Sequence, residues 1–127
     1  MSIVGYNHVA IPVAVLERAK RFYGTVLGFP EVPRPAAGVS GAWFKVGGAQ
    51  LHLAVVEGAE PPKTGIPHIG LTVPADEFTA VVEAVQASEA VEVAGPRCRP
   101  AVDGSPVWSA IFRDPDGNVI EITDAVV

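Results

Sequence analysis

The sequence predicts an α+β fold: two βαβββ modules whose curved sheets form a cup-shaped mixed sheet, with the helices outside. Three observations predict it. Asn7-His8-Val9-Ala10-Ile11-Pro12-Val13 matches Pro67-His68-Ile69-Gly70-Leu71-Thr72-Val73 at an offset of 60 residues. A helical pattern follows each copy, and each half then runs into short strands separated by glycine-rich turns. Residues 1–57 form the first module, 58–65 a linker rich in Gly and Pro, and 66–127 the second module.

Each element has a local cause. In the first half Leu16, Ala19, Phe22, Tyr23, Val26 and Leu27 recur at three- and four-residue spacing, and Gly28 stops the helix. In the second half Phe78, Val81, Val82, Val85 and Gln86 repeat the pattern. The acidic turn Asp76-Glu77 precedes them, where negative charge suits the positive end of a helix dipole. Residues 41–46 turn at Gly47-Gly48 into 49–56. Residues 107–113 turn at Asp114-Pro115-Asp116-Gly117 into 118–123, Pro115 presetting a tight reversal. The segment 95–106, which carries Arg97 and Arg99, reads as a loop able to close over an anion or simply to face solvent. Cys98 within it reads as a small buried hydrophobe.

Bulk composition narrows the function. The chain of 127 residues has 49% hydrophobic and 18% charged residues, so it is long and apolar enough for a packed core and not disordered. A net charge of -5 argues against nucleic acid or an anionic membrane as partner. No apolar run approaches the ~20 residues that span a bilayer. His8, Pro12 and Glu17 interrupt any signal-peptide pattern. The single cysteine excludes an intrachain disulfide and fits a cytoplasmic protein.

The chain has three histidines, and each is followed by an apolar residue as in a strand, His52 and His68 being preceded by one as well. His8 and His68 are equivalent in the first strand of each half. His52, in Leu51-His52-Leu53, is equivalent to Glu121, in Ile120-Glu121-Ile122, in the last. Imidazole and carboxylate are the usual ligands of first-row metals. Four candidates arranged as two repeat-related pairs therefore predict one mononuclear metal site formed by His8, His52, His68 and Glu121. A bland alternative for Glu121 is an ion pair with Arg113. By alternation Trp43 and Lys45 share a face, as do Gln50, His52 and Ala54, so Trp43, Gln50 and Ser109 are candidates for the cavity wall. Trp108 and Phe112 fall under the helix.

The ordered set Asn7-His8-Val9, Glu17-Arg18-Ala19-Lys20-Arg21-Phe22-Tyr23, Leu27-Gly28-Phe29, Pro67-His68-Ile69 and Asp114-Pro115-Asp116-Gly117-Asn118 before Ile120-Glu121 resembles the vicinal oxygen chelate superfamily. That superfamily includes glyoxalase I, methylmalonyl-CoA epimerase, fosfomycin-resistance proteins, extradiol dioxygenases and bleomycin-resistance proteins. The resemblance implies a divalent metal (Ni, Zn, Mn or Fe), a small-molecule substrate and a homodimer, with ligands from one chain or exchanged between two. His8, His68 and Glu121 match the ligand positions that recur most widely, whereas His52 stands where glyoxalase I has a second glutamate.

A glyoxalase-like lyase or isomerase acting on vicinal oxygens through a metal-stabilised enediolate is the reading the resemblance favours, with Glu121 as base. An Fe(II) dioxygenase needs two histidines and one carboxylate, so His52 would have to leave the metal. The tyrosine such dioxygenases carry in the second module is replaced here by Ser109 and Ile111. A metal-free, drug-sequestering protein is the third reading, and it leaves the four-residue constellation without a role.

Overall fold

Alternating patterns become strands and 3.6-residue patterns become helices in a computed structural model that describes residues 1–36 and 38–127. The chain divides into two units, Met1–Glu60 and Pro61–Val127, so the division falls within the segment 58–65.

The first unit contains β1 (His8–Val13), α1 (Leu16–Lys20), a π-helical turn (Arg21–Val26), β2 (Glu31–Val32), β3 (Gly41–Val46) and β4 (Ala49–Val55). Its sheet has the order β1-β4-β3-β2, with β1 parallel to β4 and the other pairs antiparallel. Ala42 and Phe44 on β3, and Leu51 and Leu53 on β4, are buried with Ala19, Phe22 and Tyr23 of the helix. Period 2 sends Trp43, Gln50 and His52 to the opposite face. The helix itself departs from the expected regular pattern. After Lys20 it widens, and Leu27 N–H reaches back five residues to the Phe22 carbonyl. Gly28, at φ +77°, then ends it.

The second unit repeats the plan. It contains β5 (Ile69–Thr72), a 3-10 turn (Ala75–Glu77), α2 (Phe78–Gln86), β6 (Val91–Pro100), β7 (Pro106–Arg113) and β8 (Val119–Thr123). The sheet order is β5-β8-β7-β6, with β5 parallel to β8. Phe78, Val82 and Val85 of α2 are buried, as are Ala110, Phe112, Ile120 and Ile122 of the sheet. Burying one such side chain contributes roughly 1.5–3 kcal/mol. In the turn before β8, the buried Asp114 carboxylate accepts the backbone N–H groups of Asp116 and Asn118 and the side-chain amide of Asn118.

Two local expectations are corrected. Residues 95–100 belong to β6, paired with β7 as Arg97↔Ser109, Cys98↔Trp108 and Arg99↔Val107. Gly95 and Pro96 look like loop residues in sequence because they lie in a stretch where the β6–β7 register shifts, a bulge that tolerates both. Cys98 is exposed, because an edge strand of this sheet carries it.

Gly41 supplies a test of the β3–β4 packing. A Cβ there would run into the backbone carbonyl oxygen of Leu53, whereas one at Gly48 would meet open space. Gly41→Ala is predicted to lower stability by about 1–3 kcal/mol in urea denaturation. Gly48→Ala should stay within about 0.5 kcal/mol of the parent.

Candidate functional site

In the first unit the register sets His52 beside Ala10 of β1 and beside Trp43 of β3, while His8 sits across from Gln50. These five side chains therefore stand on the face opposite the helix. The His52 ring is held between two others. Trp43 lies flat against it, with ring centres 3.9 Å apart and planes 3° apart. His8 is also stacked on it, at 4.2 Å and 14°.

Hydrogen bonds define the ring nitrogens. His52 Nε2 lies 2.9 Å from Gln50 Oε1. An amide oxygen only accepts, so Nε2 carries the proton and Nδ1 the lone pair. His8 Nδ1 donates to Asn7 Oδ1 at 2.8 Å, which leaves its lone pair on Nε2. Burial, then the neighbouring His8, then Arg34 hold the His52 pKa below 6.5 and favour its neutral form.

In the second unit Glu121 pairs with Gly70 of β5 and Ile111 of β7. Its Oε1 is 3.2 Å from His68 Nε2. His68 Nδ1 donates to the Gly65 carbonyl at 2.9 Å, so in the neutral ring Nε2 presents a lone pair to the carboxylate. Two lone-pair atoms face each other unfavourably unless a cation shares them. A divalent ion bound at about 2.1 Å to each would set adjacent ligand atoms about 3 Å apart at a right-angled geometry, close to the observed separation. The Gly65 carbonyl is the kind of outer partner that orients metal-binding imidazoles. The donor set fits a metal, and a shared proton is the competing occupant.

The structure thus brings His8 to His52 and His68 to Glu121. Among the described residues no group of three or more His, Cys, Asp or Glu side chains is gathered to hold an ion. His8 and His68 are exposed, and His52 and Glu121 partly so. Ser109 shares the Glu121 face through its pairing with Thr123. Arg113 donates to the Gly117 carbonyl, and the side chain beside the Glu121 carboxylate is His68. Sequence reasoning missed the partners of the histidines. Asn7 was visible as the residue before His8, but Gly65 read only as linker.

Comparison with known proteins establishes the family of the chain. The family model described as "Glyoxalase/Bleomycin resistance protein/Dioxygenase superfamily" matches residues 5–122. The chain belongs to this superfamily. A putative glyoxalase family protein from Bacillus anthracis superposes with a TM-score of 0.75 at 30% identity, over 97% of this chain and 96% of that one. A genomically encoded fosfomycin resistance protein from Listeria monocytogenes shares the fold, with a TM-score of 0.79 at 18% identity over 99% and 97% of the two chains. Mitochondrial methylmalonyl-CoA epimerase from Mus musculus is 40% identical over 62 residues, which is 46% of this chain and 35% of the epimerase. The match thus covers about a third of that curated relative. No helix among the described residues is long and apolar enough to cross a membrane.

The depressed pKa of His52 has a measurable sign. A folded value below the unfolded 6.5 means that the unfolded chain binds more protons as pH falls through that window. The contribution of the neutral ring is complete above pH 6.5 and is lost as pH falls through the folded value. Urea midpoints of the metal-free protein should therefore fall between pH 8 and 5 by more than those of His52→Phe. Identical pH profiles would contradict the assignment.

Proposed function

We propose that the protein is a metal-dependent, glyoxalase-like lyase or isomerase acting on a small substrate with neighbouring oxygens. The observation that carries this reading is the His68–Glu121 pair, whose facing donors have the spacing of adjacent ligands and whose imidazole is oriented by the Gly65 carbonyl. His8, with Nδ1 bound to Asn7 and Nε2 free, is the third donor. The donors come from one chain or from two chains of a homodimer, and they suit Ni(II), Zn(II), Mn(II) or Fe(II). When bound, the divalent ion supplies Lewis-acid stabilisation of negative charge that develops on the substrate oxygens.

The protein supplies proton transfer and orientation. Glu121 is the base: one carboxylate oxygen faces His68, and the other remains to take a proton from a carbon next to a carbonyl. Ile120 and Ile122 are buried on either side of it along β8, so the strand aims the carboxylate at the helix-free face and keeps it there. Ser109 and Trp43 would flank the substrate, Ser109 as a hydrogen-bonding group and Trp43 as a flat apolar wall. Proton movement next to a carbonyl is also the chemistry of an epimerase, in keeping with the relative matched over 62 residues.

A second reading has one specific observation behind it. Two histidines and one carboxylate are the donor set of non-haem Fe(II) oxygenases, and His52 already has its Nε2 engaged with Gln50. Against it, Ser109 and Ile111 beside Glu121 offer no phenol.

Solvent-proton exchange in D2O, followed by NMR, separates these readings. The metal-loaded protein is expected to exchange or isomerise either an acyl-CoA thioester with an acidic α-proton or a hemithioacetal. Glu121→Gln at saturating metal should lower the rate about 10²–10⁴-fold. Dioxygen consumption without proton exchange would instead support the oxygenase. His68→Ala should abolish metal binding, and a variant with full metal stoichiometry would remove the proposed donor set.

A further inference from the structure

We infer that His52 is a positioning residue that fixes the ring of His8, and is not itself a metal ligand. The inference rests on the metal reading above and concerns how the first unit presents its donor. An imidazole lone pair lies in the plane of its ring. His8 and His52 are stacked with planes 14° apart, so their lone pairs run in nearly parallel sheets. Stacked rings cannot approach closer than about 3.5 Å, the contact distance of carbon atoms. From ring centre to a metal at an ordinary imidazole distance is roughly 3 Å, and over that reach a 14° tilt closes only about 0.8 Å of the gap. The two rings cannot both aim a nitrogen at one ion in this arrangement.

The hydrogen bonds point the same way. His8 and His68 each have Nδ1 tied to an oxygen, with Nε2 of His8 open and Nε2 of His68 facing the Glu121 carboxylate. His52 is inverted, with Nε2 tied to Gln50. Its own ring is fixed on three sides: Trp43 covers one face, His8 the other, and Gln50 one edge. These contacts make a relay of restraint. Trp43 and Gln50 hold His52, His52 holds the face of His8, and Asn7 selects the His8 tautomer. His8 is an exposed side chain near the start of β1, so without the stack it would sample several rotamers and deliver its lone pair imprecisely. A flat ring at position 52 is what this role requires, and a donor atom there is not.

The test uses the full-length protein labelled with 15N, in which three histidines give six ring nitrogens. Long-range 1H–15N spectra are recorded before and after Zn(II) is added, beside His52→Phe and His52→Ala. Zinc is expected to shift Nε2 of His8 and of His68 and to leave His52 protonated on Nε2. His52→Phe keeps zinc affinity within about threefold of the parent, while His52→Ala weakens it about ten- to a hundredfold, the usual loss on removing an orienting partner. A zinc-bound nitrogen on His52, or equal loss in both variants, overturns the inference. If the parent protein takes up no zinc, the metal reading fails, and the metal-free spectra still decide the positioning role. His8 should then hold a single Nδ1–H tautomer in the parent and in His52→Phe but average in His52→Ala; an unchanged His8 in His52→Ala overturns it.

Discussion

A histidine offers one defined lone pair only when its other ring nitrogen is tied to a partner, and this constraint organises both candidate pairs. The Asn7 side chain ties His8, and the Gly65 carbonyl ties His68. Neither partner is costly to supply. Asn7 is the adjacent residue, and Gly65 lies in the turn that leads into β5. The rest of each unit serves to hold these short contacts still. A buried layer of Phe44, Leu51 and Leu53 in one, and of Phe112, Ile120 and Ile122 in the other, fixes the strand whose opposite face carries the polar groups.

The two modules share a register and differ in chemistry. Ala10 pairs with His52 in one sheet as Gly70 pairs with Glu121 in the other. Trp43 and Ile111 hold the corresponding places on the next strand. One scaffold thus carries a stack of three rings at the position where its duplicate carries a carboxylate against a histidine. Both arrangements orient an imidazole, but only the second adds a carboxylate. The duplication supplies geometry, and a few substitutions on the helix-free face of each sheet decide which polar groups each module presents.

Much of this was legible because hydrophobic period and turn chemistry are local signals. Leu51 and Leu53 around His52, and Ile120 and Ile122 around Glu121, announce strands with one buried face, and both are found so. Gly47-Gly48 and the Asp114–Gly117 turn mark their hairpins for the same reason. What was not legible depends on pairing across strands. Residues 95–100 carry loop-like Gly and Pro, yet β7 recruits them into a bulged edge strand. The widened helix after Lys20 has no counterpart in an apolar pattern that reads equally well as α-helix. The His8–His52–Trp43 stack needs the β1–β4–β3 register, which three separate sequence segments do not disclose. Membership of the superfamily, by contrast, rested on ordered motifs spread over the chain, and the match over residues 5–122 agrees with it.

The claim on which the chemistry depends is that these donors hold a metal. Its most direct test is the divalent metal content, by plasma mass spectrometry, of protein purified without chelator or histidine tag. Close to one ion per chain, retained through gel filtration, is expected. Protein that carries none, and takes up none when soaked in nickel, zinc, manganese or ferrous salts, would contradict it and leave a metal-free binding protein in its place.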